Sequence, residues 1–501
     1  MLPSGVLIGA AASGGSSISG YADAAAQRFS NPDRSENPLP PIDGECLHHS
    51  SLLVSYGGRM GENTAQGPLV AVFVVGTRPE AIKMLPVIRA FRESSRFSAF
   101  VVSTGQHAAL VADVLALGGI EPDVTFETAA AGRSLNQLFA DVLGGMSRVF
   151  EQFGPTRETN YGAPPDGFPI ACFVHGDTSS AAAAALAAFH TRVPVVHVEA
   201  GLRTDDTLSP FPEELNRQLI SRIAALHLAP TFRNEQNLIL EGIDEGRIFV
   251  SGNTAIDALF FAASLDVPYG VAGLDDLEYD ITTRVVVVTA HRRENWGDPL
   301  ERIAGAVATL AEAYPDVRFV VPLHPNPAVQ EVLRRHLAPH ANASLVASMG
   351  YAGFSRLLGR AAFVISDSGG IQEEAPALGK PVLVLRETTE RQEGVEAGTV
   401  ELVGSDPELI VSSASRLLDD PRAYARRSAR SNPYGDGHAA ERIRALTEHV
   451  VFGRRAPQQF GAGIDRIGVL RAAGYLEDPA DELGQAYRDG IADGLGGVAS
   501  A

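Results

Sequence analysis

Cysteine is nearly absent from this chain. Two in 501 residues, Cys46 and Cys172, make neither a disulfide framework nor a cysteine-based zinc cluster. Cations are outnumbered: 41 Lys and Arg against 60 Asp and Glu leave a net charge of −19. That balance argues against nucleic acid and against an anionic membrane as the main partner. No apolar run reaches the length of a membrane span. The small, apolar start from Met1 to Gly20 lacks the basic stretch of a signal peptide, so a reducing cytoplasm is the expected compartment. No His/Cys/Asp grouping has metal-ligand spacing, no G-x-G-x-x-G follows the first strand, and there is no Walker sequence. No metal, nicotinamide or other cofactor is expected.

Apolar residues are plentiful, at 45 %, enough for large buried cores. Residues 1–68 stand apart. They are rich in Ser, Gly, Ala, Asn and Pro without a sustained period, and read as a flexible extension or as an over-long start with Met60 the true one. Order begins at the apolar run Leu69–Val75, a buried strand. A turn and a helix with Pro79 at its first position follow, running to about Arg92. The unit then repeats. Strands are expected at 98–103, 170–174, 194–198, 226–229 and 247–250, with helices near 107–117, 134–153, 178–190, 212–225, 231–241 and 254–264. Residues 265–283 lack a period and read as a linker. A second series has strands near 284–289, 317–321, 343–346, 361–365, 381–385 and 399–402, with helices between them, one more near 406–418 and a last one near 437–450. Strict alternation gives a mainly parallel sheet covered on both faces. The expected fold is α/β: two doubly wound, Rossmann-like domains, 69–264 and 284–432, a final helix in 433–452 and a tail over 453–501, helical near 478–494. Ligands of such sheets bind beyond the carboxyl ends of the strands, here in the inter-domain cleft.

The polar clusters fall just there. After the apolar run Ala361–Ile365 comes Ser368-Gly369-Gly370, then a helix. Glycines let an anion approach the backbone, and the helix N-terminus favours its charge. Glu373 and Glu374 read as first-turn residues that complement the dipole or accept from ribose hydroxyls. Gly76-Thr77-Arg78-Pro79-Glu80-Ala81-Ile82-Lys83 puts two cations near a helix start, where the dipole repels them; they are solvated surface charges or they share an anion with the terminus. In His175-Gly176-Asp177-Thr178, Asp177 or Thr178 could be the helix N-cap, and Asp177 reads equally well as a cleft carboxylate. Glu199 ends a strand in an apolar setting, where a raised pKa would suit proton transfer. Glu213 and Glu214 open the next helix. In the second half, His291 follows a strand and could protonate a leaving phosphate or stand in an exposed basic loop. His324 reads as structural or peripheral, and Arg386 and Arg391 add positive potential near the glycine turn. Three carboxylates, Asp177, Glu199 and Glu213, and a set of cations suit a cleft enzyme acting on a nucleotide-linked substrate.

These clusters, with His197-Val198-Glu199-Ala200-Gly201-Leu202-Arg203-Thr204, Gly252-Asn253-Thr254, His291-Arg292-Arg293-Glu294 and Asn432-Pro433-Tyr434-Gly435-Asp436-Gly437, occur in one order. Together they closely resemble the bacterial, non-hydrolysing UDP-N-acetylglucosamine 2-epimerases over about 69–452. The resemblance implies a GT-B fold, a UDP-sugar substrate, interconversion of UDP-GlcNAc and UDP-ManNAc without cofactor, and a homodimer. It implies elimination of UDP to 2-acetamidoglucal and its re-addition. Asp177, Glu199 and Glu213 would handle protons on the sugar, while Arg78, Lys83 and His291 stabilise the departing UDP. Ser368, Gly369 and Gly370 would hold the diphosphate, Glu374 the ribose, Phe354 the uracil side, and Arg391 phosphate or sugar groups. Gln106, His107 and His324 fall where the family binds an activating second UDP-GlcNAc. Two departures stand out. Ala108 and Ala109 follow Gln106-His107 where a charged or polar pair is usual, and Asp141 replaces a later Arg. An acid in place of a cation should repel the activator. Met349 stands where a nucleotide-contacting Gln is usual.

Overall fold

The first apolar run is strand β1 (Leu69–Val75), and the capped helix after it is α1 (Arg78–Arg92). In the computed structural model, which describes residues 67–127, 134–154, 167–204, 206–389, 391–429 and 431–461, the repeat continues through β2 (Phe97–Ser103), α2 (Ala108–Leu117), β3 (Val124–Thr125), α3 (Leu135–Glu151), β4 (Ala171–His175) and α4 (Ser179–His190). Next come β5 (Val195–Val198), α5 (Glu213–Ile223), β6 (Leu226–Ala229), α6 (Phe232–Leu240), β7 (Ile248–Val250) and α7 (Thr254–Ser264). The second series is β8 (Arg284–Thr289), α8 (Asp298–Ala313), β9 (Val317–Pro322), α9 (Pro327–Leu337), β10 (Ala343–Val346), α10 (Tyr351–Arg360), β11 (Phe363–Ser366), α11 (Gly369–Ala377), β12 (Val382–Val384), α12 (Gln392–Glu396) and β13 (Val400–Leu402). Helices α13 (Pro407–Asp419), α14 (Pro421–Ser428) and α15 (Ala439–Phe452) close it. Most of the expected extension 1–68, residues 155–166 and the tail beyond 461, with its expected helix near 478–494, lie outside the described residues.

Two parallel sheets result. Their strand orders are β3-β2-β1-β4-β5-β6-β7 and β10-β9-β8-β11-β12-β13. Each order reverses once, between β1 and β4 and between β8 and β11. Connections on the two sides of such a point leave on opposite faces, so a crevice opens at the strand ends. Both sheets belong to one compact unit, with a cleft lined from both halves. This is the GT-B architecture.

Apolar strands make cores on both faces. Phe73 of β1 stacks on Phe173 of β4 at 4.7 Å, and Phe91 of α1 meets both rings edge-on at 5.1 Å. Helix α4 is mostly alanine and buried nearly all round, because the short side chains let α3 and α5 close over it. Helix α15 returns to the first sheet: Ala440, Ile443, Leu446 and Val451 join the cluster of Phe73, Leu85 and Phe91.

Several details differ from the sequence expectation. Helices α12 and α14 and the two-residue β3 were not anticipated; all are short and carry little period. The linker 265–283 is not solvated chain, since Tyr269, Leu274 and Leu277 pack with Val285, Val287 and Val320. The Arg356 guanidinium lies 4.7 Å over the Tyr269 ring and pairs with Glu278. Helix α11 starts at Gly369 with no acid in its first turn, so Glu373 and Glu374 do not complement its dipole. Beyond α15, the Phe460 N–H donates to Val250 O (2.8 Å) and Gln459 Oε1 accepts from Val250 N (2.9 Å), covering the free edge of β7.

Candidate active site

At the first reversal point the turns after β1 and β4 meet. A capping box closes α1: Glu80 N–H donates to Thr77 Oγ1, while Glu80 Oε2 accepts from Gly76 N (3.1 Å) and Thr77 N (2.7 Å). Its other oxygen accepts from Thr178 Oγ1 at 2.7 Å. Glu80 is 3 % exposed, so it locks the two turns together. Burial holds its carboxyl above the usual value against these hydrogen bonds. A Cβ at Gly76 would lie 2.6 Å from Thr104 Oγ1 and 2.7 Å from Ser180 Oγ; only glycine fits.

Thr178, not Asp177, caps α4, accepting from Ala181 N at 3.0 Å. That frees the Asp177 carboxylate, which receives two bonds from Arg217, Nε at 2.9 Å and Nη2 at 2.6 Å. Arg217 is held from behind by Glu214, fully buried, whose Oε2 also accepts from Thr204 N and Oγ1. The sequence reading chose Glu213, one residue earlier. Glu213 begins α5 and does not line the cavity; its Oε2 is buried without a hydrogen-bond partner among the described residues. Helical phase places neighbouring residues about 100° apart, so it is Glu214, through Arg217, that reaches the cleft.

Glu199 holds φ +64°, a left-handed conformation costly for a side chain with a Cβ. Its carboxylate pairs with the Lys83 ammonium and lies 3.8 Å from His175 Nε2. The expectation of a raised pKa is overturned: burial pushes it up, but the charge and hydrogen bond of Lys83, with His175 and Arg391, together outweigh burial and hold it down at about 2. Glu199 is therefore held as a carboxylate. Burial lowers His175 to about 4, so its imidazole is neutral.

At the second reversal point Asp367, fully buried, gathers the loop after β8. Its Oδ2 accepts from His291 N (2.8 Å), Arg292 N (2.8 Å) and Asn295 Nδ2 (3.0 Å). His291 Nδ1 sits 3.1 Å from Oδ1, at ion-pair distance but bent from hydrogen-bond geometry. Burial would raise Asp367; the His291 contact keeps it below its ordinary value. The His291 ring is 39 % exposed and stacks on His324 with centroids 6.0 Å apart. His324 thus packs against His291. Ser368 caps α11 without a side-chain bond. A Cβ at Gly369 would lie 2.7 Å from Arg391 Nη1 and 3.2 Å from Arg292 Nη2. Two guanidiniums and a helix N-terminus converge there, an arrangement whose electrostatics favours an anion.

A cavity of about 350 Å³ joins the two walls. Of the sequence-selected residues, Lys83, Asp177, Glu199 and Arg391 line it. Arg78 opens α1, and its charge is felt by Tyr351 of α10 in the opposite half. Glu374 is pushed up to about 7 by burial and by Glu373, against the pull of Lys83 and Arg391; Gly370 is beside it. Phe354 packs half-buried with Met349 on the second core. Gln106 accepts from Ser180 Oγ at 2.9 Å, and His107 is exposed with its N–H on Gly76 O. Asp141 lines a separate cavity with Thr104, Glu127 and Arg148. Given no role by the sequence reading were Glu80, Arg217, Asp367, Asn253 and Tyr434. The T-x-x-E spacing of Thr77 and Glu80 was a legible signal; the others depend on contacts distant in sequence. Among the described residues, no group of three or more His, Cys, Asp or Glu is placed to hold a metal ion, and no helix is long and apolar enough to cross a membrane.

Fold and cleft together define a GT-B enzyme whose cavity is lined by Lys83, Asp177 and Glu199 from one half and by Glu373 and Arg391 from the other. A family model described as UDP-N-acetylglucosamine 2-epimerase matches residues 89–448. The chain belongs to that family, which is one of isomerases. It is 44 % identical over 383 residues to the UDP-N-acetylglucosamine 2-epimerase of Yersinia pestis, covering 75 % of this chain and 98 % of that one. It is similar to the crystal structure of a UDP-N-acetylglucosamine 2-epimerase from Listeria monocytogenes, with TM-score 0.71, 38 % identity and coverage of 78 % and 99 %. A Neisseria meningitidis UDP-GlcNAc 2-epimerase, solved bound to UDP-GlcNAc, gives TM-score 0.62, 38 % identity and coverage of 75 % and 98 %.

Proposed function

We propose that this protein interconverts UDP-GlcNAc and UDP-ManNAc by elimination and re-addition, without net hydrolysis. The observation that carries the reading is one cavity in which Lys83 and Glu199, Asp177 and Arg217 stand on one wall and Arg391 on the other. A carboxylate takes the C2 proton while the C1–O bond breaks and its electron pair leaves with UDP, giving 2-acetamidoglucal. A proton then returns to the opposite face of C2 as the UDP oxygen re-forms the bond at C1. Glu199, held ionised by Lys83, and Asp177, clamped by Arg217, are the candidates for the two proton transfers. Arg78, Lys83, His291, Arg391 and the α11 terminus with Ser368, Gly369 and Gly370 supply preorganised positive charge for the departing diphosphate. Glu213 would join the proton-handling set only if closure moved α5. Glu374 and Phe354 take the ribose and uracil side. Residues 69–264 are then the sugar-side domain and 284–432 the UDP-side domain. The same reading brings a cytoplasmic homodimer that feeds polysaccharide or antibiotic biosynthesis.

Proton NMR of the protein with UDP-GlcNAc in D2O tests it. UDP-ManNAc with deuterium at C2 is the expected product. Free ManNAc with stoichiometric UDP would instead make it a hydrolysing epimerase, and no reaction without an added acceptor would favour a glycosyltransferase.

A further inference from the structure

The Glu373 carboxylate is a junction between the two halves. Its Oε1 accepts from Arg391 Nε at 2.6 Å and its Oε2 from Asn253 Nδ2 at 2.7 Å. Asn253 caps α7 of the first half, and its backbone N–H donates to Tyr434 O at 2.7 Å. The Tyr434 hydroxyl in turn accepts from Gly394 N (3.0 Å), three residues beyond Arg391. Asn432 Nδ2 holds the Glu373 carbonyl at 3.0 Å. The planar guanidinium of Arg391 therefore has its direction set on one edge by Glu373, while Nη1 lies against Gly369 at the α11 terminus. A guanidinium binds phosphate well only when its fork is aimed.

We infer that Glu373 is a positioning residue: it aims Arg391 at the diphosphate and, through Asn253, makes that aim depend on how the two halves meet. This rests on Arg391 being a diphosphate ligand, as proposed above. Coulomb's law alone predicts the opposite sign. Removing a negative charge beside the anion site should tighten diphosphate binding, whereas loss of aim should weaken it.

The test is UDP binding by calorimetry together with steady-state kinetics on Glu373→Gln, Arg391→Ala, the double variant and Asn253→Ser. Glu373→Gln should raise the Kd for UDP about tenfold, the loss of one charge-assisted hydrogen bond. KM for the UDP-sugar should rise in parallel, and kcat/KM should fall by about tenfold or more, because Arg391 holds the diphosphate in the ground state and meets more charge as it departs. In the Arg391→Ala background Glu373→Gln should add nothing, since it acts only through that side chain. Asn253→Ser keeps a helix cap but loses the reach to Glu373, and should weaken UDP by about threefold; it serves if Glu373→Gln folds poorly. Unchanged or tighter UDP binding in Glu373→Gln, or full additivity in the double variant, overturns the inference while leaving the function intact. Wild-type UDP affinity in Arg391→Ala overturns the assignment of Arg391 itself, and the inference with it.

Discussion

Acidification should load this protein unevenly, and His227 offers a way to measure it. His197 of β5 and His227 of β6 are register partners in the first sheet, both fully buried. His197 Nε2 bonds to Gly176 O at 2.7 Å, while neither ring nitrogen of His227 has a partner among the described residues. Burial lowers His175 and His197 to about 4 and His227 to about 3, from an ordinary 6.5. Between these values the unfolded chain binds protons that the folded chain refuses. The stability is thus fully present above pH 6.5 and is lost as pH falls toward 4. From pH 7.5 to 5 each imidazole costs about 2 kcal/mol, and the three together about 6 kcal/mol. Asp257, pushed up to about 6, and Glu374, up to about 7, work the other way. Both gain protons on folding over the same range and offset about 4 kcal/mol. The whole-protein slope is therefore small and not diagnostic; the difference made by one histidine is. Urea unfolding of wild type and His227→Leu at both pH values should show the variant losing about 2 kcal/mol less on acidification. Equal losses would mean that His227 is not held neutral by burial, and would refute the reasoning.

Other outcomes follow from the cleft. Asp177→Asn should lower kcat by about 10²–10⁴-fold, the usual range for proton-transfer groups, while UDP affinity measured by calorimetry stays within about threefold; unchanged turnover would remove Asp177 from the reaction. Gly369→Ala would place a Cβ 2.7 Å from Arg391 Nη1, displacing the guanidinium rather than backbone, so UDP should bind about tenfold more weakly with stability changed by about 1 kcal/mol or less. The sequence reading of Asp141 as an acid in place of an activator-site cation predicts that UDP-ManNAc alone is turned over with hyperbolic kinetics; a strict need for added UDP-GlcNAc would refute that reading.

The sequence by itself determined the elements and their order. Short apolar runs rich in Val, Ile and Phe between turn residues read as strands buried on both faces, and caps such as Thr77, Ser134, Thr178 and Thr231 mark where helices begin. It also placed the polar clusters at strand ends, because loops are where a chain can afford them. Strand adjacency is another matter. That β1 neighbours β4 and β8 neighbours β11 is a property of the folded sheet, and only this brings Gly76 to Thr178 and His291 to Asp367. Tertiary structure also chose between adjacent acids. A Glu-Glu pair in a helix presents two directions and sequence does not say which faces inward: Glu214 rather than Glu213 steadies the cleft, and Glu373 rather than Glu374 grips Arg391. Charge states were decided last and farthest away. Glu199 in its strand-end setting suggests an elevated pKa, yet Lys83, 116 residues earlier, is foremost among the charges that hold it down instead. Electrostatics follows distance in space, and distance in space is what the linear chain does not record.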